Sequence, residues 1–119
     1  YLSGQIPIIN GELQFKGTVP NEVSVDKAID AARVCAINLI SQANVACNGD
    51  LSKIKRIVKV TGYVACSVNF EQHPTIINGA SDLFKSIFDE NGSHTRAAIG
   101  CASLPLGSPV EVEAIFEKK

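Results

Sequence analysis

The sequence predicts an α+β two-layer sandwich, with two helices on one face of a mixed β-sheet. Three observations carry that expectation. Two stretches repeat apolar residues at three- and four-residue spacing, as helices with one buried face do. Five segments are either rich in β-branched residues or alternate in polarity, as strands do. Their order along the chain is β-β-α-β-α-β-β, and both helical stripes are buried if the helices lie side by side on one sheet.

Each element has a local reason. Leu2 to Ile9 reads as an opening strand, Asn10-Gly11 is a strong hairpin signal, and Glu12 to Lys16 alternates as the return strand. Ser24 supplies an N-cap for a long helix with the stripe Ala28, Ile29, Ala32, Ala36, Leu39, Ile40 and Ala43. Asn48-Gly49 tolerates the left-handed conformation that ends such a helix. From Ile54 to Cys66 the chain is β-branched, with Val58, Val60, Gly62, Val64 and Cys66 on one face and Lys59, Thr61 and Tyr63 on the other. Pro74 and Thr75 open the second helix, whose stripe is Ile76, Ile77, Ala80, Leu83, Phe84, Ile87 and Phe88 and whose stop is Asn91-Gly92. Thr95 to Ala102 and Val110 to Phe116 read as the closing strands. Ile57, Ala65, Ile99, Cys101 and Ile115 are left where two helices do not cover them, a surplus that suggests self-association.

Composition narrows the function classes. With 119 residues, 45% of them apolar, residues 1–119 suffice for one domain with its own core. A net charge of −1 and three arginines, Arg33, Arg56 and Arg96, lack the basic footprint of a general RNA binder. No apolar run approaches the roughly 18 residues of a membrane span, and Tyr1 to Pro7 has neither the basic nor the long apolar part of a secretory signal. Cys35, Cys47, Cys66 and Cys101 are 12, 19 and 35 positions apart, without the close pairs that zinc sites use. They sit in apolar runs and are expected as buried free thiols, which points to a cytoplasmic setting. No glycine-rich nucleotide loop, nucleophile elbow or H-E-x-x-H occurs, so no cofactor and no metal are expected.

Four places could carry chemistry. Arg96 opens a strand after the loop Asn91 to Thr95, and its guanidinium is either solvated there or forks onto a carboxylate. Glu111 and Glu113 share a strand face; they either meet water and lysines or include one carboxylate held in a cleft to handle a water. His94 titrates near neutrality but has no evident partner in the sequence. Gly4 and Gly62 lie in strands, where a missing side chain marks a bulge or a close approach.

These residues also form a pattern. Ser3-Gly4-Gln5-Ile6-Pro7, the run from Arg96 to Pro105, and Val110-Glu111-Val112-Glu113-Ala114-Ile115 together resemble the RidA/YjgF family of reactive-intermediate deaminases, whose members are also known as L-PSP endoribonucleases or translation initiation inhibitors. The resemblance spans nearly the whole chain. It implies a chorismate-mutase-like fold, a homotrimer and clefts between subunits. It further implies that Arg96 holds a substrate carboxylate, that Glu111 positions a water, and that Ser3, Gly4 and Asn78 line the substrate pocket. The implied reaction is cofactor-independent hydrolysis of an enamine or imine from amino-acid metabolism to a 2-keto acid and ammonia. The family's usual Pro-Ala before the arginine is His94-Thr95 here, its following serine is Ala97, and its tyrosine-bearing first strand would precede Tyr1. Two other functions fit the same residues: a trimer that binds small carboxylates without turnover, and the endoribonuclease activity, which the charge disfavours.

Overall fold

A computed structural model describes residues 1–119. Strand β1 (Leu2–Gln5) leads into a short hairpin of β2 (Ile8–Ile9) and β3 (Glu12–Leu13), followed by helix α1 (Val25–Ala46). The chain continues through β4 (Ile54–Ala65), helix α2 (His73–Phe88), β5 (Thr95–Cys101) and β6 (Val110–Lys118). The main sheet has the order β1-β6-β4-β5. Strand β4 is antiparallel to β6 and parallel to β5, and β6 is antiparallel to β1. Both helices pack on one face, so the expected α+β sandwich is the observed one.

Several local expectations hold for the physical reasons given. Ser24 caps α1 by accepting from the Lys27 amide at 3.2 Å, and Asn10, Gly11, Asn48 and Gly49 all adopt positive φ at their turns. The core is the apolar stripe of α1 against that of α2, with Val60, Val64, Val110 and Val112 from the sheet beneath. Glycine 62 lets α2 approach, because a β-carbon there would collide with the Ile77 side chain. That settles Gly62 as a packing glycine and not a ligand approach.

Three expectations are corrected. The opening strand does not run from Leu2 to Ile9: it stops at Gln5, and Ile8–Ile9 pairs with Glu12–Leu13 in a separate two-stranded sheet. Pro7, which has no amide hydrogen to donate, separates the two. The return strand is accordingly only Glu12–Leu13. Ile57 is not left uncovered but is 1% exposed. Strand β4 pairs Ile57 with Phe116 but Lys59 with Ile115, so two residues of β4 oppose one of β6. This bulge turns both Ile57 and Val60 toward the helices, and Val58 leaves the face assigned to it. Ala65 is buried as well, because Val19 lies alongside the end of β4 and its amide bonds to Ala65 O at 2.9 Å. Ile99, Cys101 and Ile115 remain on the helix-free face, Ile99 at 47% exposure.

Cys35 and Cys47 are buried, whereas Cys66 and Cys101 are only half-buried, and all four are free thiols. No helix is long and apolar enough to cross a membrane.

Substituting Gly62 by alanine should lower unfolding free energy by about 1–3 kcal/mol, the usual scale of overpacking. Denaturant melts of the two proteins, with equal slopes, check this.

Candidate functional site

Arg96 lies opposite Val60 across the parallel β4–β5 pair, and Val60 is fully buried beneath the helices. Side chains of paired residues share a face, so Arg96 is directed to the helix side, at the exposed edge strand. There it meets α2. Its Nη1 donates to Asn78 Oδ1 at 2.8 Å and to Ser81 Oγ at 3.2 Å. Asn78, Ser81, Asp82 and Lys85 occur at helical spacing and form a polar stripe beside the apolar one. With Ser93, His94 and Arg96 they line a pocket of about 240 Å³ that contains no apolar residue.

His94 is not a free loop histidine. Its Nδ1 is 2.6 Å from Gly92 O, its Nε2 is 2.9 Å from Ser81 Oγ, and its ring meets Phe84 edge-on at 5.9 Å. Burial, with the charges of Arg96 and Lys85, holds its pKa below the ordinary value of 6.5, although the Gly92 carbonyl works the other way.

Glu111 lies opposite Tyr63, three residues along β4 from Val60. An odd offset changes faces, so Glu111 stands on the helix-free side of the sheet, with Tyr63, Glu113, Ile99 and Cys101. Its carboxylate rests over Gly4, where a β-carbon would collide with it. That contact, and a register shift between Leu2 and Gln5 in the β1–β6 pair, explain why a glycine occupies the strand. Ser3 is adjacent and exposed. Glu111 accepts no hydrogen bond within the chain, and its pKa is raised, first by desolvation and then by the neighbouring Glu113. Glu113 is engaged differently, accepting from the Tyr63 hydroxyl at 2.9 Å.

The structure therefore groups the sequence candidates into two sets. Arg96 and Asn78 are together on the helix side; Glu111 and Gly4 are together on the other, with Ser3 next to Gly4 along β1. One copy of the chain does not bring Arg96 and Glu111 to a common pocket. Sequence reasoning missed Ser81 and the partners of His94. The i, i+3 spacing from Asn78 to Ser81 was a usable signal, but which strand that stripe faces was not. Nowhere do three His, Cys, Asp or Glu side chains converge so as to chelate an ion.

Fold and site together define a two-layer α+β domain with its second sheet face bare and with an arginine pocket and a carboxylate on opposite sides. Residues 1–117 match the family model described as "YjgF/chorismate mutase-like, putative endoribonuclease". The chain belongs to this family. It is 40% identical over 118 residues to Protein TCP17 of Trypanosoma cruzi, covering 98% of this chain and 73% of that one. It superposes on the crystal structure of Atu1372 from Agrobacterium tumefaciens, described as of unknown function, with TM-score 0.98 and 44% identity, covering 100% of this chain and 75% of that one. A Shewanella oneidensis protein with the same endoribonuclease description gives TM-score 0.91 and 34% identity, covering 98% and 76%.

Because the folded-state pKa of Glu111 is raised, its ionisation opposes folding. Below the ordinary carboxylate range it is protonated in both states and contributes nothing. As pH rises through the unfolded value, the unfolded chain ionises first and stability is lost until the folded pKa is passed. Glu111→Gln should therefore raise the melting temperature at neutral pH, with the gain vanishing at low pH. Thermal melts across pH check both the sign and the window.

Proposed function

We propose that this protein is a cofactor-independent hydrolase of amino-acid-derived enamines or imines, acting in clefts between three copies of the chain. The observation that supports this reading best is the opposed placement of Arg96 with Asn78 and of Glu111 with Gly4. Each is half of a site, and a neighbouring copy set with its helix-free face against the Arg96 edge supplies the other half. Ile99, Cys101 and Ile115 give that face its apolar surface, which a closed ring of subunits would bury.

The chemistry needs little more than orientation. Arg96 grips the substrate carboxylate, a group unchanged by the reaction, with the donors that Asn78 and Ser81 leave free. Glu111, with its raised proton affinity, takes a proton from water as the oxygen adds to the imine carbon and the C=N electron pair moves to nitrogen. Glu111 returns that proton to the nitrogen, and as the C–N bond breaks the proton of the new hydroxyl passes to nitrogen as well, so that ammonia leaves and the C=O of the 2-keto acid forms. The imine carbon is already electrophilic, so holding water and substrate together supplies the rate advantage. The endoribonuclease description of the family fits less well, since the net charge is −1 and binding to an RNA backbone draws on a surplus of positive charge.

Two measurements test the reading. With 2-iminobutanoate generated in situ, Arg96→Lys should weaken keto-acid affinity by about 1–3 kcal/mol, because charge without the fork holds a carboxylate less well. Glu111→Gln should lower kcat by roughly 10²–10⁴-fold with little change in ligand affinity, and Glu113→Gln should do little. Keto-acid binding to all variants without any ammonia release would replace the enzyme by a carboxylate-binding protein.

Mixing provides the second measurement. Arg96→Ala and Glu111→Gln chains, each inactive alone, should regain activity when unfolded and refolded together, since about one quarter of randomly mixed interfaces pair an intact Arg96 with an intact Glu111. Sedimentation should give a trimer for each. A stable monomer, or no recovery on mixing, would remove the shared cleft.

A further inference from the structure

The proposed hydrolysis gives no direct task to Ser81 or His94, yet their hydrogen bonds have a defined direction. A carbonyl only accepts, so the 2.6 Å contact from His94 Nδ1 to Gly92 O places a hydrogen on Nδ1. In the neutral ring Nε2 must then accept, and Ser81 Oγ, 2.9 Å away, is its donor. With its hydrogen committed there, the serine oxygen presents a lone pair to Arg96 Nη1 at 3.2 Å. Asn78 Oδ1 takes the other Nη1 hydrogen at 2.8 Å. Both hydrogens of Nη1 are thus used, and Nε and Nη2 keep theirs.

The alternative for a mid-helix serine is to turn its hydroxyl back to the carbonyl one helical turn earlier, here Ile77 O. His94 prevents that. His94 is itself held: Gly92 is pressed so closely on α2 that a β-carbon would collide with Phe84 O, and Phe84 meets the imidazole at 89°. Beyond Asn78 and Ser81, Arg96 has no side-chain hydrogen-bond partner. It is exposed on an edge strand, and the ion pairs of the chain, Lys55–Glu117 and Arg56–Glu117, do not include it.

We propose that His94, acting through Ser81, fixes the Arg96 guanidinium so that its Nε–Nη2 edge stays free as the fork for a ligand carboxylate. His94 is a positioning residue, and its role rests on the reading of Arg96 as the carboxylate anchor. The path runs from a backbone carbonyl through a tautomer-locked imidazole and an oriented hydroxyl to the guanidinium.

The test has one arm that needs no ligand. The chain has three arginines, so Arg96→Lys identifies the Arg96 guanidinium signals by their loss from a nitrogen–proton spectrum. In the native protein the two Nη groups of Arg96 should give separate signals, and in His94→Phe, which keeps a ring against Phe84, they should merge. Ser81→Ala should have the same effect. His94→Gln, whose amide oxygen can accept from Ser81, should restore separation and serves also if the phenylalanine variant does not fold. In the second arm, His94→Phe should raise Kd for 2-oxobutanoate and KM by about tenfold, the worth of one hydrogen bond, while kcat changes little. Ser81→Ala combined with His94→Phe should be no worse than either alone. Separate Nη signals in both single variants, or additive losses in the pair, would overturn the proposal. Failure of the native protein to bind 2-oxobutanoate, with the Nη signals still merging as expected, would count against the carboxylate anchor and not against the relay.

Discussion

The parallel pairing of β4 with β5 is the constraint on which the rest depends. A parallel pair must be joined by a crossover, and α2 is that crossover, so the pairing itself lays a helix across one sheet face. The same register sets Arg96 opposite Val60 and Ile99 opposite Tyr63. Sliding β5 by one residue would send Arg96 to the bare face and Ile99 into the core, because the side-chain period of a strand is two. Gly62 makes the arrangement compact, since the space a side chain would fill there is taken by Ile77. Sheet register, helix position and the direction of the one arginine that faces α2 are therefore a single decision.

The two faces differ in charge as well as in cover. On the helix side, Arg96 has only neutral hydrogen-bond partners, Asn78 and Ser81. On the bare side, Glu111 carries its charge at a cost, without a cation and beside a second carboxylate. An unneutralised cation and an unneutralised anion on opposite sides of one copy of the chain form a complementary, non-identical pair of surfaces. Such pairs favour head-to-tail association, which closes into a ring when the rotation allows.

Much of the fold was legible in the residues. The helical stripes of α1 and α2, the Ser24 cap and the Asn-Gly turns are local signals with local causes. The bulge around Val58 was not legible, because an extra residue in one strand is defined only by its partner; alternation placed Ile57 outside, and pairing with Phe116 turned it in. The break after Gln5 had a visible cause in Pro7, but a proline alone does not say whether a strand bends or ends. For the candidate site, residue types were legible and their sides were not. Arg96 and Glu111 were identifiable as chemistry-bearing groups, while their separation by the sheet depends on the registers of three strands. His94 lacked a partner in sequence because Ser81, thirteen residues earlier, becomes its neighbour only when α2 folds back against β5.

The short passage from α2 to β5 is pinned at two points in its second half, with Gly92 against the Phe84 carbonyl and His94 against Ser81. A passage tied in this way has a fixed contour length. An extra residue there would have to bulge away from the helix and carry the imidazole with it, whereas the turn at Asn48-Gly49, where added atoms meet open space, has no such restriction. Tolerance of insertions thus becomes a property of position along this chain. In this chain, one residue more between the helix and the arginine strand would leave the guanidinium to the asparagine alone.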